Sequence, residues 1–175
     1  GEIISFYTTG TVMLPNTLNI VNSTFNDSFD VLYGNVIIKN PNDIKTQVIY
    51  PSPLKDLLIV GSVFNTESAF YSGEIFKKGV SFTEKYKISG DFELNLKLYL
   101  EGIKFKYINR EISIFETGGI SSDGKSTTKE NIAILKEYRC DTKKAYKNYY
   151  SYYITDFLKS IHCYEFFRKV YHFIK

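Results

Sequence analysis

The chain is poor in the residues that most often carry chemistry. Among 175 residues there are two His, two Cys, one Met and no Trp. Cys140 and Cys163 are far apart, without metal-ligand spacing and with few His to join them, so a zinc site and a disulfide scaffold are both excluded. They read as free thiols in a reducing compartment. His162 and His172 share no acid–base or metal constellation and take no role. No apolar run is long enough to span a bilayer, and there is no signal peptide. No glycine-rich phosphate loop is present. Charge of one sign is also lacking: the formal net charge is +3, which points neither toward nor away from nucleic acid. Gly1 stands where a natural start would have Met, directly in strand-like sequence, which predicts that the start lies upstream.

What is present supports a folded chain. Hydrophobic residues make up 43% and aromatics, nearly all Tyr and Phe, 17%. Both are too high for disorder, and the length suits one domain with a real core. Gly1 to Phe6 reads as a buried strand, followed by a polar loop from Tyr7 to Thr11. Pro15 is placed to start a helix through Leu18 and Val21. Asp30 to Lys39 reads as a second strand, and Asn40 to Asp43 as a turn. Ile44 to Tyr50 is extended and is closed by Pro51 and Pro53. Pro53 to Leu58 reads as a short helix, Val63 to Tyr71 as a strand and Glu74 to Lys78 as a helical turn. This alternation predicts an α/β layered domain.

The stretch with most promise is Tyr86 to Ser122. Ser89, Gly90 and Asp91 suit a helix start, and Asp91 with Glu93 complements the dipole of the first turn. Phe92, Leu96, Tyr99 and Leu100 then follow helical spacing, and Gly102 marks the stop. Two extended segments, Lys104 to Asn109 and Glu111 to Phe115, precede the loop Gly118-Gly119-Ile120-Ser121-Ser122. On spacing alone, this is an acidic first turn on an ordinary amphipathic helix. The glycine-rich loop is either a mobile connection or a backbone cradle for a phosphate.

Further motifs carry a family resemblance. The order Phe70-Tyr71, Phe76-Lys77-Lys78-Gly79, Phe82-Thr83-Glu84-Lys85-Tyr86-Lys87-Ile88, Asp91-Phe92-Glu93, Gly102-Ile103-Lys104-Phe105-Lys106-Tyr107-Ile108 and the Gly118 loop resembles the second half of a family 2 glycosyltransferase. The likeness is to bacterial enzymes of surface-polysaccharide biosynthesis and runs from Gly1 to about Tyr138. It implies the C-terminal part of a GT-A nucleotide-diphospho-sugar transferase, an α/β mixed-sheet domain over 1–142, followed by C-terminal helices. The activity it implies is inverting transfer of a sugar from a nucleotide-sugar donor to a glycan or lipid-linked acceptor. Asp91 falls on the family's general base. Glu93, Glu67, Gly118, Gly119 and Ser121 would line the acceptor side. The location implied is cytoplasmic.

Departures from the family are as informative. Its first loop carries paired aspartates that hold Mg²⁺ or Mn²⁺ against the diphosphate. Here the loop reads Thr8-Thr9-Gly10-Thr11, so no metal ligand is assigned. Thr66 and Glu67 stand where the family has His-Gln. The nucleotide-binding half would precede Gly1. The rival reading is therefore a non-catalytic remnant that binds a glycan or a partner chain.

From Thr128 the chain is helical again. Segment 143–175 carries seven Lys/Arg against Asp156 and Glu165, an excess of five positive charges interleaved with Tyr and Phe. Three readings stand, in order: a helix packed on the domain, a peripheral contact with the inner face of an anionic membrane, and nucleic-acid contact. The last has no recognisable motif and is set aside.

Overall fold

A computed structural model describes residues 2–40, 46–117 and 123–160. The architecture is α/β. A six-stranded mixed sheet has the order β1-β5-β3-β6-β2, and β4 pairs the far end of β3 beyond β5. The strands are β1 (Ile3–Ile4), β2 (Thr11–Met13), β3 (Val31–Lys39), β4 (Thr46–Ile49), β5 (Ala69–Ser72) and β6 (Phe105–Glu116). The helices are α1 (Thr17–Thr24), α2 (Gly73–Lys77), α3 (Gly90–Leu100), α4 (Gly124–Glu137) and α5 (Lys143–Ser160), with 3₁₀ turns at Leu54–Leu58 and Thr66–Ser68.

β3 is the spine. Val31 to Val36 are all buried, because one face meets α3 and α4 while the other meets α1. The first face carries Val31, Tyr33, Ala69, Tyr71, Leu94, Leu98, Ile134 and Leu135; the second carries Leu32, Phe70, Ile112, Val21 and Phe29. β3 runs parallel to β6 and antiparallel to β4 and β5. The β3–β6 register shifts on either side of Asn35. Gly34 permits this close approach, since a Cβ there would lie 2.5 Å from Ile112 and 2.7 Å from the Arg110 carbonyl.

Several expectations are corrected. The first strand shrinks to Ile3–Ile4, and the polar loop gives way at Thr11 to β2, which pairs with Phe115, Ile114 and Ser113. That partner is a hundred residues away, so local sequence gives no sign of it. α1 starts after Asn16, in the left-handed region at φ 65°, rather than at Pro15. Val63 to Tyr71 is not one strand. Asn65 caps a 3₁₀ turn by accepting from the Glu67 amide, and only Ala69 onward is extended. Lys104 to Asn109 and Glu111 to Phe115 merge into the single bulged strand β6. α4 begins at Gly124, where Asp123 accepts from the Lys125 amide, four residues before Thr128. α3 ends as predicted, with Gly102 at φ 79°.

Segment 143–175 is not wholly an appendage. Ala145 is fully buried in the main core, with Tyr146 and Tyr149 packed beside it. Lys125 on α4 pairs with Asp156, and its ammonium lies 4.8 Å from the Tyr153 ring. Residues 161–175, with both His and Cys163, lie outside the described residues.

Candidate functional site

Beneath the sheet, the loop before α3 meets the Asn65 turn across a cleft of about 950 Å³. This is at the upper end for small-molecule sites. Asp91, in the first turn of α3, forms part of its wall, together with Thr66, Glu67, Thr8, Thr9 and Glu116. The residue is half-buried.

A chain of hydrogen bonds fixes the Asp91 carboxyl. The buried Tyr71 hydroxyl donates to Asn95 Oδ1 at 3.0 Å, and Asn95 Nδ2 lies 3.5 Å from Thr66 Oγ1. Thr66 Oγ1 donates to Asp91 Oδ2 at 3.1 Å, and the Phe92 amide donates to Oδ1 at 2.7 Å. Every donor therefore points toward Asp91. Burial raises the Tyr71 pKa, outweighing its bond to Asn95, and keeps the hydroxyl a donor. Burial also raises the Asp91 pKa above the usual carboxylate range. The Phe92 and Thr66 bonds oppose that shift, and the charge of Glu67 adds to it. The outcome is a carboxylate more basic than usual with lone pairs left for a ligand.

α4 fastens this corner. The Glu130 carboxylate accepts from the amides of Lys87, Ile88 and Ser89 at 3.3, 2.9 and 2.9 Å. Glu137 takes Lys85 at 2.5 Å and the Tyr86 hydroxyl. One acidic face of α4 thus holds the segment that delivers Asp91.

The sequence-predicted residues separate. Asp91 and Glu67 share the cleft, and Thr8 Oγ1 donates to Glu67 at 2.8 Å. Glu93 does not line the cleft. It is buried, and its carboxylate accepts from the hydroxyl of Tyr138, the residue that closes α4. Period 3.6 places residues two apart on different helix faces, so one acid of the pair turns to the cleft and the other to α4. Gly118, Gly119 and Ser121 lie outside the described residues. Thr66, Asn95, Tyr71 and Glu130 went unassigned by sequence reasoning. Thr66 stands only as a departure from the family pattern and Tyr71 only as part of the Phe70-Tyr71 step of the resemblance, while Asn95 and Glu130 carry no motif.

The donor set around Thr8 to Thr11 does not fit the divalent metal that the resemblance implies. Three hydroxyls with Glu67 are a poor shell for a hard cation that prefers several carboxylate oxygens. Among the described residues no three His, Cys, Asp or Glu side chains form a metal-binding group.

No protein-family model matches the sequence, and no curated protein matches it. The likeness is in the fold. TarS of S. aureus, solved over residues 1–349, superposes with a TM-score of 0.50 at 15% identity, covering 84% of this chain and 44% of that one. A second TarS structure gives 0.49 at 15% identity, covering 84% and 26%. The chain thus spans less than half the length of these proteins. Over 84% of its length it shares the α/β fold of TarS.

Proposed function

We propose that this chain supplies the acceptor side of a family 2 glycosyltransferase acting in polysaccharide biosynthesis, with Asp91 as the general base. Asp91 would take the proton of an acceptor hydroxyl. The freed oxygen would attack the anomeric carbon of a nucleotide-sugar, whose bond to the diphosphate breaks with the electron pair leaving on the diphosphate. One direct displacement inverts the anomeric centre. The observation that carries the reading is Asp91 itself, a desolvated and therefore more basic carboxylate held in a cleft wall by Thr66 and the Phe92 amide. Raised basicity suits proton abstraction near neutral pH. Glu67 would shape the acceptor pocket, whereas Glu93 is better read as a brace to α4. No step is routed through a metal.

The test supplies the chain with a nucleotide-sugar-binding half and measures transfer. Asp91→Asn should lower turnover by about 10²–10⁴ while the fold persists. Near-full turnover in that variant removes Asp91 from the mechanism. The second reading, a glycan- or partner-binding remnant without transfer, is favoured by the carboxylate-free loop at Thr8 to Thr11. It predicts that no donor half restores activity.

A peripheral membrane role for α5 is the remaining part of the proposal. Among the described residues no helix is long and apolar enough to cross a membrane. However, Tyr150, Tyr153, Ile154 and Phe157 form one stripe at helical spacing and are all exposed by half or more. Lys143 and Lys147 lie on the same side by helical periodicity, the pattern that suits an anionic bilayer surface.

A further inference from the structure

We infer that the cleft beside Asp91 recognises an uncharged or amine-bearing sugar and rejects glycans that carry phosphate, sulfate or carboxylate groups. This rests on the reading of the site as an acceptor site and names the acceptor's chemistry. Two features of the lining carry it.

The first is a surplus of acceptors. Three carboxylates line the cleft, those of Asp91, Glu67 and Glu116, and Lys87 is the only basic residue among the described lining residues. Lys39, outside the lining, pairs with Glu116 at 3.6 Å. Three of the lining hydroxyls already spend their protons within the protein. Thr8 donates to Glu67, Ser62 to the Phe64 carbonyl at 2.8 Å, and Thr66 to Asp91. A sugar brings several O–H donors, and an amino sugar brings N–H donors with a positive charge. A phosphorylated or sulfated glycan brings acceptors and negative charge, which this lining disfavours.

The second feature is a pair of exposed rings. Tyr50 and Phe82 both line the cleft, at 62% and 39% exposure. Phe82 packs at right angles to Phe6, with ring centroids 4.8 Å apart, which fixes the position of its ring. A pyranose offers an apolar C–H face of matching size. Aromatic rings beside a few polar groups are the usual makeup of a site that must grip such a ligand.

The test is direct binding by the full chain, followed by calorimetry or ligand-observed NMR. The probes are neutral oligosaccharides of glucose, galactose, mannose and N-acetylglucosamine, the deacetylated amine form of the last, and sulfated forms of each. At least one neutral or amine-bearing member should bind, with its sulfated form about tenfold weaker or more. Tyr50→Ala should weaken binding by about three- to tenfold. Its exposure leaves the melting temperature unchanged, so loss of binding cannot be put down to unfolding. Glu67→Gln should narrow the gap between the neutral and sulfated forms. Equal or tighter binding of the sulfated probes, or no binding of any neutral or amine-bearing probe, overturns the inference. Because binding is read separately from transfer, binding with failed transfer would sink the enzymatic reading alone. Transfer to a neutral acceptor unaffected by Tyr50→Ala would remove the stacking role alone.

Discussion

At the scale of single residues, Asp91 sets stability against function. Desolvation favours its protonated form, so its pKa in the fold lies above the unfolded value. The native state then holds the proton more tightly than the unfolded chain. The stability linked to this group is complete below the usual aspartate range and is lost as pH rises through the raised native value. Asn has the size of Asp and carries no charge. Asp91→Asn should therefore raise the melting temperature at pH 7 and above. The gain should shrink toward zero as the pH falls below about 4, where an unfolded aspartate is itself protonated. Thermal melts across pH 3 to 8 read this directly. A variant less stable than the parent at pH 7 would mean that the bonds from Thr66 and Phe92 outweigh the desolvation.

Among the elements, α4 and α5 act on different sides. Glu130 on α4 satisfies three backbone amides ahead of α3, and each amide left without a partner would cost about 1–3 kcal/mol if buried. The corner carrying Asp91 is thus stabilised from a helix forty residues further on. α5 divides along its length. Ala145, Tyr146 and Tyr149 join the core, whereas Tyr150, Ile154 and Phe157 face outward. Removing everything beyond Asp141 would therefore strip core residues, and the membrane proposal needs surface substitutions instead. The intact chain should co-sediment with anionic phosphatidylserine vesicles at low salt and release at high salt, since each basic residue near such a surface is worth about 1 kcal/mol and salt screens it. Neutral vesicles should not bind. Replacing Tyr150, Ile154 and Phe157 together by Ser should abolish binding with little change in melting temperature. Unchanged sedimentation would assign the binding elsewhere. Self-association of the parent, lost in the triple variant, would make the stripe a contact between copies.

For the whole molecule, metal dependence is the property that tests the carboxylate-free loop at Thr8 to Thr11. A ligand bound only to the native state at 100 times its dissociation constant adds about 2.7 kcal/mol. Titrating Mg²⁺ or Mn²⁺ to millimolar levels should leave the melting temperature where it was. A rise would reveal a site built from other acids, with Asp91 and Glu67 the first to substitute. The fold likeness to TarS covers 84% of this chain at 15% identity. That combination is what packing allows: a core tolerates many apolar exchanges if volume and pattern are kept.

The sequence by itself determined the elements whose signals are local. β3 was legible as a run of β formers, α3 as an acidic start, a helical stripe and a closing Gly102, and the 3₁₀ turn at Leu54–Leu58 as a stretch opened by Pro53. It also put Asp91 forward, through resemblance rather than spacing. Tertiary structure decided what depends on distant partners. β2 is a strand only because Phe115, Ile114 and Ser113 lie beside it. β6 continues through Asn109 and Arg110 because β3 pairs with both halves across a bulge at Gly34 and Asn35. The acids of the first turn part company because α4 covers one face of α3 and brings Tyr138 to Glu93, leaving the other face to the cleft. The line from Tyr71 through Asn95 and Thr66 to Asp91 joins residues on a strand, a helix and a turn. No sequence spacing links these residues, because hydrogen bonding depends on separation in space, which only the packed core fixes.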